Sequence, residues 1–269
     1  MVSAPSNSAG TAFRRAAPHG QRSSAARLLP AALFALAAAS SPASAQISGD
    51  GFLFHEPRVG LTLRGGWDAA AAKGDIFTFA TDQLTLGRKD FRGPFIGLDL
   101  AIPVRPRLDV TVSSSYSGTS AKSEFRDWVD TGNLPIEQTT SLDRVPLAVG
   151  VRAYLLPRGR AVGEFVWIPT RFSPYVGAGA GAMWYRFRQQ GDFVDFQTTN
   201  VFPDEFESSG WAPLAQASVG ADYTLTPHLA LNGEAKYNWA KGELGTDFSG
   251  FGRIDLSGYT ATLGLSVRF

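Results

Sequence analysis

Cysteine is absent from all 269 residues. That excludes disulfides and thiolate metal sites, and it suits a chain exported through an oxidising compartment. Histidine is nearly as scarce, with three residues, so imidazole metal sites and His-dependent catalysis have few candidates. No stretch approaches the ~20 apolar residues of a membrane-spanning helix. The apolar run Leu28 to Ala39 is too short for that role. It follows Arg14, Arg15, Arg22 and Arg27 and precedes Ala43-Ser44-Ala45. This order predicts a secretory signal over residues 1–45, cleaved before Gln46. A basic excess is lacking too. The chain holds 25 Lys+Arg and 24 Asp+Glu. Residues 1–45 carry four Arg and no acid, leaving 21 against 24, a net of −3. Without a basic stripe there is no nucleic-acid partner to expect.

What is present is alternation. Residues 262–269 place Leu263, Leu265, Val267 and Phe269 on one face, and Thr262, Gly264, Ser266 and Arg268 on the other. Period two marks strands. Counting it along the chain predicts eight: about 57–67, 93–102, 107–117, 144–156, 173–188, 212–225, 229–239 and the C-terminal segment. The strand at 173–188 is ambiguous, because Gly177, Gly179 and Gly181 alternate with Val176, Ala178, Ala180 and Ala182. The links after strands 1, 3, 5 and 7 (about 68–92, 118–143, 189–211 and 241–254) are long and polar. Those after strands 2 and 6 are tight turns, and 157–172 is intermediate.

This pattern predicts an all-β fold: a closed, antiparallel, eight-stranded transmembrane β-barrel with long extracellular loops and short periplasmic turns. Residues 46–56 would be a periplasmic tail and 57–269 the barrel. A soluble ligand-binding barrel also alternates, but it points its apolar face inward. Charged residues in mid-strand opposite the apolar face favour the membrane reading. So do aromatics gathered near strand ends as interfacial girdles: Trp67, Tyr116, Tyr175, Trp184, Trp211, Trp239, Tyr259 and Phe269.

The strand Pro174-Tyr175-Val176-Gly177-Ala178-Gly179-Ala180-Gly181 and the closing strand Gly258 to Phe269 resemble small eight-stranded outer-membrane β-barrel proteins. That broad family takes in the transmembrane domain of outer membrane protein A and outer membrane protein W. The resemblance covers Arg58 to Phe269. It implies residence in a bacterial outer membrane, contact with outer-membrane lipid and lipopolysaccharide, and a monomeric barrel. The C-terminal pattern held by Thr262, Gly264, Val267 and Phe269 resembles the signal read by the barrel-assembly machinery; Val267 is aliphatic where the family often has an aromatic.

Ionisable residues on the face opposite the apolar one nominate a lumen charge network: Arg64, Asp99, Arg152, Asp222, Glu234 and Lys236, with Asp109 and Arg268 completing a balanced set. An eight-stranded barrel is only wide enough to be filled by side chains, so compensated pairs are expected there before a conduction path. Arg152, Asp222, Glu234 and Lys236 are expected near mid-height, and the strand 5 glycines are expected to leave room for Tyr154. Outside the membrane, 124–130 reads as a charged, aromatic loop tip. Phe193, Phe196, Phe202 and Phe206 read either as a cluster over the barrel mouth or as an apolar way into the lumen.

Catalysis finds no constellation. Barrel enzymes acting on lipid need His with a nucleophile and a carboxylate at the outer rim. Here His19 lies in the signal, while His55 and His228 fall at the periplasmic end. Loop acids Asp192, Asp204 and Glu205 read as solvated charge. No cofactor or metal is expected. The expected role is structural or in surface interaction. A narrow channel for small or hydrophobic solutes is the alternative, and a lipid-modifying enzyme a weaker one.

Overall fold

The computed structural model describes residues 51–269 apart from 131, 196, 197 and 199. The expected signal over residues 1–45 lies outside the described residues. Eight long strands make the molecule: β1 (Gly60–Ala70), β2 (Arg92–Arg105), β3 (Leu108–Val129), β4 (Pro135–Tyr154), β5 (Phe172–Val194), β6 (Val201–Thr224), β7 (Leu229–Gly242) and β8 (Gly258–Arg268). Each pairs antiparallel with its neighbours in sequence. β8 pairs with β1 from Gly60↔Arg268 to Ala70↔Gly258, so the eight form a ring. In the ring every strand has two partners and its backbone groups are satisfied within the sheet, as hydrocarbon requires.

Alternation decides which face is which. Leu63, Ile96, Val112, Val149, Val219 and Leu263 are among the apolar residues exposed on the outside. Arg64, Asp99, Arg152, Asp222 and Glu234 are buried on the inside. Along β5 the glycines face inward and Ala178 and Ala180 face out, which resolves the ambiguous strand. The girdle aromatics lie outside as expected, with one correction. Tyr175 is 0% exposed and belongs to the lumen, because its register follows the glycines, not the valine beside it.

The largest departure from the sequence reading is strand length. β3 to β6 run 20 to 24 residues, about twice what crosses a bilayer at ~45° tilt. The expected loops at 118–143 and 189–211 are therefore mostly strand, and 124–130 is the end of β3 and its exit, not a loop tip. Their polar character misled because these stretches leave the lipid. The outer face then meets water and carries Lys122, Glu124, Glu137, Arg186 and Arg188, while the inner face becomes apolar.

That inversion builds a second core above the membrane. The link after β1 is no bare loop. Ala72 (φ 46°) and Gly74 (φ 106°) turn the chain into a helix, α1 (Asp75–Gln83), that buries Ile76, Phe77 and Ala80. These meet Ile136, Leu142, Met183, Phe187, Leu214 and Phe248 in one buried cluster. Its rings interlock edge to face: Phe77 with Phe91 at 5.0 Å, Phe77 with Phe187 at 5.8 Å, and Phe187 with Phe248 at 5.4 Å. Phe193 and Phe206, 4.6 Å apart, join through Phe206 and Phe248. They form a packed lid over the mouth, not an apolar way in. Phe202 stacks 6.2 Å from Phe193, and Phe196 lies outside the described residues.

The other mouth is covered as well. The intermediate link carries a short strand pair, Gly159–Ala161 with Trp167–Pro169. Leu53 pairs with Trp167 through reciprocal backbone hydrogen bonds of 2.8 and 2.7 Å. Trp167 is 5% exposed.

Candidate functional site: the charged lumen

Period two brings inward-pointing residues of seven strands into one buried polar layer. Arg64 (β1) lies 2.6 Å from Asp99 (β2) and 3.4 Å from Glu234 (β7). Arg152 (β4) reaches the same two acids at 3.5 and 3.7 Å. Lys236 is 3.3 Å from Glu234. Three cations thus share two carboxylates. The structure brings five of the six nominated residues together directly. The sixth, Asp222, joins through Asn232, whose amide donates to Asp222 while its carbonyl accepts from Arg64. Arg268 lies 3.7 Å from Asp222.

Two tyrosines complete the layer. Tyr175 donates to Glu234 at 3.0 Å, accepts from Asn232 at 3.0 Å, and stacks under the Arg152 guanidinium at 4.3 Å. Tyr154 donates to Asp222 at 3.0 Å, and its ring sits 5.6 Å from Tyr175. Tyr154 therefore lies beside Tyr175; the space left by Gly177 is approached instead by Ser218. Burying each ion costs several kcal/mol, which only pairing with filled hydrogen-bond geometry offsets. The layer supplies the pairing, with each of its carboxylates within 3.7 Å of a cation, although Nε and Nη2 of Arg64 are buried without a hydrogen-bond partner among the described residues.

Its height departs from expectation. Arg152 stands two residues before the end of β4 and Asp222 two before the end of β6. The network thus lies near the periplasmic ends, because the strands grow outward. A second layer sits above it: Arg144 bonds Asp68 and donates to the Leu256 carbonyl at 3.0 Å, and Thr260 donates to Asp68 at 2.8 Å. Below it, Asp109 pairs with Arg158 at 3.1 Å, which also reaches Glu56 at 3.4 Å.

Sequence reasoning missed Asn232, Tyr175, Arg144 with Asp68, and Arg158. Asn232 stood on the polar face of its strand but carries no charge. Asp68 lay one residue beyond the expected end of strand 1. Arg158 comes from the link after β4, and no period points it at the lumen.

Gly264 of the closing strand has a lumen role. A Cβ there would lie 2.9 Å from Arg64 Cγ and 2.5 Å from the Leu63 carbonyl oxygen. Glycine lets the Arg64 stem pass. Thr262 points inward, Val267 and Phe269 outward, and the Phe269 amide donates to Val59 O at 2.9 Å. Among the described residues no group of three His, Cys, Asp or Glu could hold a metal ion. His228 lies at the periplasmic turn, its Nδ1 3.2 Å from the Arg268 carbonyl.

An antiparallel eight-strand ring with a lipid-facing apolar band, aromatic girdles and a charged interior defines a bacterial outer-membrane β-barrel. The sequence profile of the outer membrane protein beta-barrel domain matches residues 31–269, and the chain belongs to that family. No curated relative matches it in sequence. Among solved structures it is similar to Neisserial surface protein A, with a TM-score of 0.41 and 11% identity over 78% of this chain and 96% of that one. Ail, the attachment invasion locus protein of Yersinia pestis, gives 0.39 and 12% over 80% and 100%. The Escherichia coli outer membrane protease OmpT gives 0.35 and 12% over 81% and 98%. The fold carries diverse roles and does not select one.

Proposed function

We propose that the chain is a non-conducting, monomeric barrel that presents a rigid extracellular platform for surface interaction and envelope support, in contact with lipopolysaccharide. The observation that carries this reading is the obstruction of the lumen at three heights: the aromatic lid, the ion-pair layers, and Trp167 with the N-terminal segment. Two cavities among these obstructions measure ≈ 30 and ≈ 20 Å³, room for about one or two water molecules each. The strands that project furthest, β3 to β6, form the platform, and α1 holds them from within. The reading assigns no catalysis, since both histidines beyond the signal lie at the periplasmic end.

Conductance of the refolded barrel in a planar bilayer tests it. A folded barrel with no discrete current steps is the expected result. Steps that vanish when Arg152 and Glu234 are both replaced by Leu would overturn the reading in favour of a channel for small solutes.

A further inference from the structure

Charge in this barrel is sorted by height. At the extracellular end acidic residues outnumber basic ones, and the two arginines just above the girdle are engaged: Arg186 with Asp143 at 2.7 Å, and Arg188 with Glu207 at 2.8 Å. The periplasmic rim is the reverse. It carries Arg58, Arg105, Arg107, Arg158, Arg160 and Arg171, against Glu56 and Glu164 among the described residues. Arg158 is committed to Asp109 and Glu56. The other five are exposed and make no ion pair among the described residues.

Their depth is set by their neighbours. The Arg58 amide donates to the carbonyl of Phe269 at 2.7 Å, and the Phe269 ring is 64% exposed on the lipid side. Arg171 precedes outward-facing Phe172, and it donates from Nε to the Tyr223 hydroxyl at 2.7 Å. Arg105 ends β2 directly after lipid-facing Val104, and Arg107 follows in the same turn. Arg58, Arg105, Arg107 and Arg171 therefore stand where hydrocarbon gives way to headgroups, close to apolar residues that dip into the bilayer. The planar guanidinium suits phosphate oxygens.

We propose that this arginine rim binds the phosphate headgroups of anionic phospholipids in the periplasmic leaflet. Attraction to an anionic lipid surface is worth about a fivefold change in partitioning for each cation near it. It would seat the barrel at a fixed depth, with its acidic end outward. The proposal rests on the direction of the chain in the membrane and not on whether the lumen conducts. A carboxylate-bearing cell-wall polymer would also meet a basic rim, but it would lie beneath the membrane, away from Phe269, Tyr223 and Val104.

The test uses the full barrel folded in nanodiscs of equal phosphatidylglycerol and phosphatidylcholine, with bound lipids counted by native mass spectrometry after release. The unchanged protein is expected to retain phosphatidylglycerol about fivefold over phosphatidylcholine, less so in 0.5 M salt, which shortens the screening length to roughly 4 Å. The combined variant Arg58→Gln, Arg105→Gln, Arg107→Gln, Arg171→Gln should lose that preference, and Arg171→Lys alone should keep it. An extracellular control, Arg88→Gln, Lys89→Gln, Lys122→Gln, Lys241→Gln, should keep it as well. The substituted side chains are exposed, and folding is checked by resistance to unfolding in detergent. No preference in the unchanged protein, an equal preference in the rim variant, or displacement of lipid by soluble cell-wall fragments would each overturn the proposal.

Discussion

Replacing Glu234 with Gln removes one negative charge from the centre of the lumen and almost no volume. Glu234 lies 3.4 Å from Arg64, 3.7 Å from Arg152 and 3.3 Å from Lys236, with side-chain exposure of 4%. Removing one partner of a buried pair costs about 3–5 kcal/mol, because the other charge stays buried and unpaired. Two features place this variant at the low end. Asp99 still pairs with Arg64 at 2.6 Å and Arg152 at 3.5 Å, and the Gln carbonyl still accepts from Tyr175. The expected loss is about 3 kcal/mol. With a denaturant slope of ~2 kcal/mol per M, the urea midpoint falls by roughly 1.5 M. Equilibrium unfolding of the refolded barrel from vesicles, followed by tryptophan fluorescence, reads it. Adding Lys236→Met should restore about half of the loss, since the layer then holds two cations and one carboxylate instead of three. A loss below about 0.5 kcal/mol would refute the reasoning, because it would mean that water already solvates Lys236, Arg64 and Arg152 in a wet, continuous lumen.

Two further changes probe other parts of the molecule. Phe77→Ala empties a fully buried position between Phe91 and Phe187, a change that costs about 3–5 kcal/mol in a packed core. It should undock α1 and speed protease cleavage within residues 71–91 while the lipid-embedded barrel stays intact on gels; unchanged cleavage would show that α1 does not depend on that contact. Gly264→Val places a side chain against Arg64 Cγ and should displace Arg64 from Asp99, destabilising the barrel by about 2 kcal/mol or more, within the range for overpacking. Gly264→Ala should fall between, and equal stability of all three in urea titration would remove the lumen role assigned to that glycine.

Part of this architecture was legible in the chain because a strand in a barrel wall has one lipid face and one lumen face. Leu63, Ile96, Val149 and Leu263 alternate with Arg64, Gly97, Gly150 and Gly264; period two sorts them onto two faces, and the mid-strand charges with the girdle aromatics say which face meets lipid. Five of the six nominated charges meet for that reason. Periodicity fails where the solvent changes. Above the girdle, water replaces lipid outside and α1 replaces side-chain pairs inside, so the apolar face of β4 and β5 moves from the outer to the inner residues, at Ile136, Leu142 and Phe187. In a linear reading this inversion looks like a polar loop. The helix Asp75–Gln83 left a signal in the spacing of Ile76, Phe77 and Ala80, which was hidden by the polar residues around it.

By itself the sequence determined the number of strands, their two faces, the tight turns, the aromatic girdle apart from Tyr175, and the excess of inward charge. These follow from short-range alternation and from the absence of any helix-length apolar run. Only the tertiary structure decided who pairs with whom. Arg64 reaches Glu234 across β8, where its own neighbour is Gly264, which also faces Asn232 and has no side chain to block the way; Asp222 connects to Arg64 through Asn232. Partners 170 residues apart in the chain are brought together by register and ring closure. Neither is encoded in the spacing of any single strand.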